Sequence, residues 1–172
     1  MSGKSFQEML DPILVAMVVR GDARKVAELL SKGASVEVRD QGLTPLMIAA
    51  WFGHTEVCEV LLDKGNAKIE ETEPKAQNSA LMQAVGNDNA STVALLLSKG
   101  ARVDIRNKNG FTPLLLAAQF GHTEVCKLLL EKGKANIEET GQIDETALST
   151  AARRGDAKTV EMLLSKGARV DL

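Results

Sequence analysis

Two histidines and two cysteines are the residues best equipped for chemistry, and they come as matched pairs. Gly53-His54-Thr55-Glu56-Val57-Cys58 returns unchanged as Gly121-His122-Thr123-Glu124-Val125-Cys126, 68 residues later. An imidazole can act as a general base or bind a metal, and a thiolate can attack or coordinate. The matching positions argue against both. Where two segments carry His54 and His122, the others carry Asp22, Asn89 and Asp156. A position that accepts His, Asp or Asn suits a helix start or a turn, whereas catalysis or metal binding demands one residue type. Val57 and Val125 sit beside the cysteines, and Val26, Val93 and Val160 stand at matching places. The thiols are therefore expected in the core as small apolar residues. Two units apart, they lie beyond the roughly 7 Å between Cα atoms that a disulfide tolerates. Free thiols fit a reducing compartment, so an intracellular and cytoplasmic location is expected.

Nothing else supplies a reactive constellation. There is no H-E-x-x-H, C-x-x-C or G-x-G-x-x-G, and no nucleophile–base pairing stands out. Gly3-Lys4-Ser5 matches only the tail of a phosphate loop and reads as a disordered leader or a cloning remnant. The acidic runs Glu70-Glu71-Thr72-Glu73 and Glu138-Glu139-Thr140 lack a calcium-loop pattern and read as solvated loops. No catalytic, cofactor or metal residues are expected, and the chain is read as a non-enzyme. The 172 residues carry a net charge of −2, which disfavours nucleic acid as a partner. The apolar run Ile13–Val19 follows Glu8 and Asp11 instead of a basic leader. It is too short to span a membrane and reads as a helix.

The elements that hold these residues recur. Lys-Gly pairs fall at Gly33, Gly65, Gly100, Gly133 and Gly167, spaced 32, 35, 33 and 34 residues apart. A period near 33 means a stacked array. In one unit, Thr44 caps a first helix, Pro45 opens it, Ala49 and Ala50 allow close approach, and Gly53 ends it. A second helix carries Val57, Cys58, Leu61 and Leu62 on its apolar stripe, with Lys64 in its last turn. The plan returns at Gly110-Phe111-Thr112-Pro113-Leu114. Ser79-Ala80-Leu81 and Thr146-Ala147-Leu148 lack the proline, and Asp88 replaces the glycine. These two helix starts are expected to be less rigid.

Thr-Pro-Leu, Ala-Ala, Gly-His, Leu-Leu and Gly-Ala recurring in register resemble the ankyrin repeat over residues 12–172. The family's histidine after Thr-Pro-Leu is replaced by Met47, Met82, Leu115 and Ser149, so its bracing must be absent or come from elsewhere. The resemblance implies an α-helical solenoid of about five units, the N-terminal one partial: 12–38, 39–73, 74–106, 107–140 and 141–172, after a leader at 1–11. Helix pairs would be joined by projecting β-hairpins. The concave face of hairpin tips and first helices would take a partner, and the expected function is protein–protein interaction by a monomer. The alternative is a targeting or regulatory array within a larger enzyme, channel or effector.

The units also alternate. Ile69-Glu70-Glu71-Thr72 returns as Ile137-Glu138-Glu139-Thr140, and Leu96–Asp104 returns as Leu163–Asp171. A duplicated two-unit module explains this. Val170-Asp171-Leu172 resembles a stretch that elsewhere leads into another unit, as expected of a fragment or of a last hairpin left unfinished. Ser149 and Thr150 are read as polar softening of the last unit, and Phe6, Met9 and Leu10 as cover for the first.

Positions that refuse to repeat mark the candidate site. Trp51, Phe52, Gln119 and Phe120 end first helices, where other units have Asn87 and Arg153-Arg154. Phe111 follows a hairpin glycine, where another unit has Leu43. Aromatics on a face expected to be solvated suggest binding. Arg39, Arg106, Lys108, Arg153 and Arg154 would form a basic rim. The expected ligand is a protein or peptide segment, extended or helical, with apolar anchors and some acidic residues.

Overall fold

The structure is a computed structural model that describes residues 5–170. Ten helices follow one another: α1 Phe6–Arg20, α2 Ala23–Ser31, α3 Pro45–Phe52, α4 Thr55–Asp63, α5 Ala80–Gly86, α6 Ala90–Ser98, α7 Pro113–Phe120, α8 Thr123–Glu131, α9 Ala147–Arg154 and α10 Ala157–Ser165. They form five helix pairs. The first helices α1, α3, α5, α7 and α9 pack in one row, and the second helices α2, α4, α6, α8 and α10 in another. The stack is an α-helical solenoid. The projecting β-hairpins are not ladders: among the described residues there is no strand, only the isolated bridges Asp40–Leu43 and Thr72–Ser79.

Local chemistry explains the helix ends. Thr44, Ser79, Thr112 and Thr146 each accept a hydrogen bond from the backbone N–H three residues on, which satisfies a donor that the helix leaves open. The two starts without proline are therefore capped like the others. Asp88 takes the left-handed turn at φ 56°. Ser5 forms a capping box with Glu8. The boundary drawn between residues 11 and 12 thus falls inside α1, and Ser5 belongs to the fold. Gly3 and Lys4 lie outside the described residues, as do Asp171 and Leu172.

The core runs the length of the stack. Leu46, Met47, Leu81, Met82, Leu114 and Leu115 are sealed along the first-helix row, and Val26, Cys58, Leu61, Val93, Cys126 and Leu129 along the second. Met47, Met82 and Leu115, which replace the family's histidine, are core residues. Leu10 is buried on the first unit, but Phe6 and Met9 are exposed. Ser149 faces solvent, whereas Thr150 is buried, so Thr150 is not a polar cap on the last unit.

Neighbouring units are tied together at the ends of the first helices. Gly21, Gly53 and Gly121 end α1, α3 and α7 in the left-handed conformation. A Cβ on Gly53 would lie 2.7 Å from Asn89 Oδ1, and one on Gly21 would lie 2.8 Å from the His54 ring. Those side chains use the space. His54 Nε2 donates to Val19 O at 3.0 Å, and Asn89 Nδ2 donates to Ala50 O and Trp51 O at 2.9 Å. His122 Nε2 reaches Gly86 O at 3.3 Å. Asp22 and Asp156 instead cap their own helices through Lys25 N and Thr159 N.

The acidic hairpins are not solvated loops, and this corrects the expectation. Glu71 pairs with Arg39 of the preceding hairpin, and Glu139 with Arg106. Glu70 and Glu138 accept the backbone N–H of Arg102 and Arg169 in the following one. Glu73 is buried, and its carboxylate accepts from Lys75 N, Ala76 N and Asn78 N at 2.7, 2.8 and 3.2 Å. Asn107 Nδ2 also bonds Asn78 Oδ1 at 2.9 Å. These contacts supply the bracing that the missing histidines do not.

Both cysteines are free and buried. Burial pushes each thiol up to about 12, because the thiolate loses hydration. Native-state modification by iodoacetamide at pH 8 should be negligible, with both thiols reacting once urea unfolds the chain. The folded state holds these protons more tightly than the unfolded one, so their stabilising contribution is full below the ordinary thiol range and is lost as pH rises toward 12. Denaturant midpoints should therefore fall in alkali for the wild type and fall less for a Cys58→Ala, Cys126→Ala variant. Glu73→Ala removes a buried acceptor of three backbone donors and should cost about 2 kcal/mol in urea unfolding, with Glu73→Gln intermediate.

Candidate functional site

Trp51, Phe52 and Phe120 end α3 and α7 with side chains 47%, 51% and 49% exposed. Each follows an alanine pair that is fully buried, so the helix turns its small residues inward and its aromatics outward. The Phe52 ring stacks on His54 and the Phe120 ring on His122, with centroids 5.8 Å apart in both pairs. The repeated histidine therefore does two structural jobs. It braces the preceding unit and supports the aromatic ring beside it.

Trp51, Phe52 and Leu43 are brought together in a pocket of about 220 Å³ with Val19, Ile48 and the hairpin residues Asp40 and Gln41. The pocket lies where a hairpin meets the first helices. Leu43 and Phe111 are only partly exposed and pack against the core. Phe111 stands apart from the Trp51 cluster and lines a second pocket with Leu115, Ile143 and Thr150. Asn87 is exposed, and its Nδ2 bonds Gln83 O at 2.9 Å, closing the end of α5. Gln119 is half-buried beside Phe120.

The basic rim is largely engaged within the protein. Arg39 pairs with Glu71 and also donates to Gly42 O. Arg106 pairs with Glu139 at 2.7 Å and also donates to Thr140 O and Gly110 O. Arg153 pairs with Glu145 at 2.6 Å. Arg39 and Arg106 hold neighbouring units together and Arg153 ties α9 to its own hairpin, so they lend no argument for an acidic partner. Lys108 donates its backbone N–H to Ala76 O. Val19, Asp40, Ile143 and Thr150 are site neighbours that the sequence reading did not select. Val19 was visible as the counterpart of Trp51, and Thr150 as a polar residue where Ile48 and Leu116 stand.

Among the described residues, no group of three or more His, Cys, Asp or Glu gathers as a metal site. None of the described helices is long and apolar enough to cross a membrane.

A profile of three ankyrin repeats matches residues 7–73 and 81–172. The chain is 42% identical over 127 residues to the ankyrin repeat and KH domain-containing protein mask-1 of Caenorhabditis elegans, covering 71% of this chain and 5% of that protein. It is 33% identical over 166 residues to an ankyrin repeat protein of fowlpox virus, covering 92% and 48%. It is 33% identical over 164 residues to the human transient receptor potential cation channel subfamily A member 1, covering 90% and 14%. The chain thus spans less than half the length of each of these relatives. Matched helix pairs, left-handed turns at a fixed place in the period and a profile covering nearly the whole chain agree: the chain belongs to the ankyrin repeat family.

Proposed function

We propose that the chain is a non-catalytic interaction module that binds a protein or peptide on the face formed by its hairpins and first helices. The repeats of its family typically mediate protein–protein contact. One observation carries the choice of face: Trp51, Phe52 and Phe120 stand half-exposed on helices whose other apolar residues are sealed, save Leu116, which is partly buried. Exposed aromatics on a rigid frame are suited to anchoring a partner, because large contact area costs little conformational entropy there. Hydrogen bonds at the helix ends and between hairpins hold this surface fixed before binding, which lowers the ordering cost of association. The unit thus acts as a monomer by shape and apolar contact, with Asn87, Gln119, Lys108 and Arg154 as polar surroundings. Its buried, unpaired thiols support an intracellular, cytoplasmic setting.

A second reading treats the same surface as the targeting or regulatory part of a longer protein. The greater length of the matched relatives supports it. The two readings share one binding face and differ in what is attached to it.

The double variant Trp51→Ala, Phe52→Ala tests the face. Affinity capture on the wild type and the variant side by side should show the bound partner weakened at least about tenfold on the variant, as for anchor residues. Thermal stability should drop by no more than about 1 kcal/mol, since both side chains are half in solvent. A partner retained in full by a destabilised variant would show that these aromatics are core.

A further inference from the structure

Asp40 lines two apolar pockets at once. One is the pocket of Trp51, Phe52, Leu43 and Val19 described above. The other is a groove of about 500 Å³ between α1 and the first hairpin, with Pro12, Val15, Ala16 and Val38 as its apolar wall. Pro12, Ala16 and Asp40 are exposed, so both the wall and the carboxylate are open to a partner.

The same hairpin position is used differently in the next two hairpins. Asp40, Glu73 and Asn107 each donate the backbone N–H that closes the hairpin, to Leu43 O, Asn78 O and Phe111 O. The Glu73 carboxylate then accepts N–H groups of its own loop, and Asn107 Oδ1 accepts those of Asn109 and Phe111. The loop after Asp40 is only Gln41-Gly42, and Leu43 N donates to Asp40 O. So short a loop closes without the side chain. Among the described residues, no hydrogen bond or ion pair engages the Asp40 carboxylate. Its surroundings do not neutralise it either. Arg39, the cation lining the groove, is paired with Glu71. Glu8 and Asp11 also line the groove and accept only the backbone N–H groups of Ser5 and Ser35, which carry no net charge. The free charge on this part of the face is therefore negative, opposite to the basic rim expected from the sequence. It repels an acidic ligand and loses hydration against a purely apolar one, whereas a cation answers it.

We propose that the bound partner segment carries a lysine or arginine between two apolar residues. One apolar side chain enters the Trp51 pocket, the other enters the groove beside α1, and the cation pairs with Asp40. The inference rests on the binding face argued above and fixes the charge pattern of what binds there.

A phage-displayed library of random peptides, panned on the immobilised protein, supplies the probes. The wild type should enrich peptides with a lysine or arginine flanked by apolar residues. The most enriched peptide, synthesised, should bind Asp40→Asn about fivefold more weakly, the upper end of what an exposed ion pair contributes, and with less dependence on salt. Asp40→Lys, panned afresh, should enrich glutamate or aspartate at the same place. The melting temperature of Asp40→Asn should equal that of the wild type, because the carboxylate braces nothing. Enriched peptides without a cation, equal affinity for Asp40→Asn, an unchanged preference in Asp40→Lys or a lower melting temperature in Asp40→Asn overturns the proposal. Peptides that bind the Trp51→Ala, Phe52→Ala variant as well as the wild type overturn the binding face, and this inference with it, as does a library from which nothing is enriched. Peptides lost on that variant but indifferent to Asp40 overturn the charge pattern alone.

Discussion

The array depends on how closely one first helix can approach the next. Each of four first helices ends in a left-handed glycine, and above three of them the next unit leaves no room for a side chain. The alanine pairs before those glycines are fully buried in units two and four. Small residues therefore set the spacing, and the larger apolar groups of both helix rows interlock at the distance that results. Where the glycine is replaced by Asp88, the following unit supplies His122, whose Nδ1 lies 3.7 Å from the carboxylate. The close approach becomes a polar contact, and the stack continues unbroken.

Stability and recognition draw on different residues of the same helix. In α3, Leu46, Met47, Ala49 and Ala50 face inward, and Trp51 and Phe52 face out at the last turn. A change at the outer positions leaves the stacking surface untouched. This separation lets an array keep its frame while its surface diverges, and it explains why the aromatics occupy the positions that vary from unit to unit.

The frame was legible because stacking imposes a period. Thr44, Pro45 and Gly53 mark a helix's start and end by local rules, and the structure places those ends as read. Contacts between hairpins were less legible. Glu71 and Arg39 are 32 residues apart, and nothing in a charge run tells a solvated loop from a staple. Thr150 shows the same limit. Its polarity suggested a surface, but burial is decided by the neighbouring unit, which a single period does not contain. The aromatic positions were readable as exceptions, and Trp51, Phe52 and Leu43 do share one pocket. Phe111 was separable from that group only once the hairpins were placed.

Polar contacts between the second helices alternate. Thr55 bonds Thr92 and Asp63 pairs with Lys99, while Thr123 bonds Thr159 and Glu131 pairs with Lys166. The intervening junction, between α6 and α8, presents Ser98 toward Lys132 by the same register and has no such pair. The joints of the array are thus of two kinds, and each kind fits only its own neighbours. Removing one unit would bring two unlike halves together and strand a threonine hydroxyl, whereas removing or inserting two would restore every match. The segment that can be removed or inserted without a mismatch at these joints is therefore the pair of units.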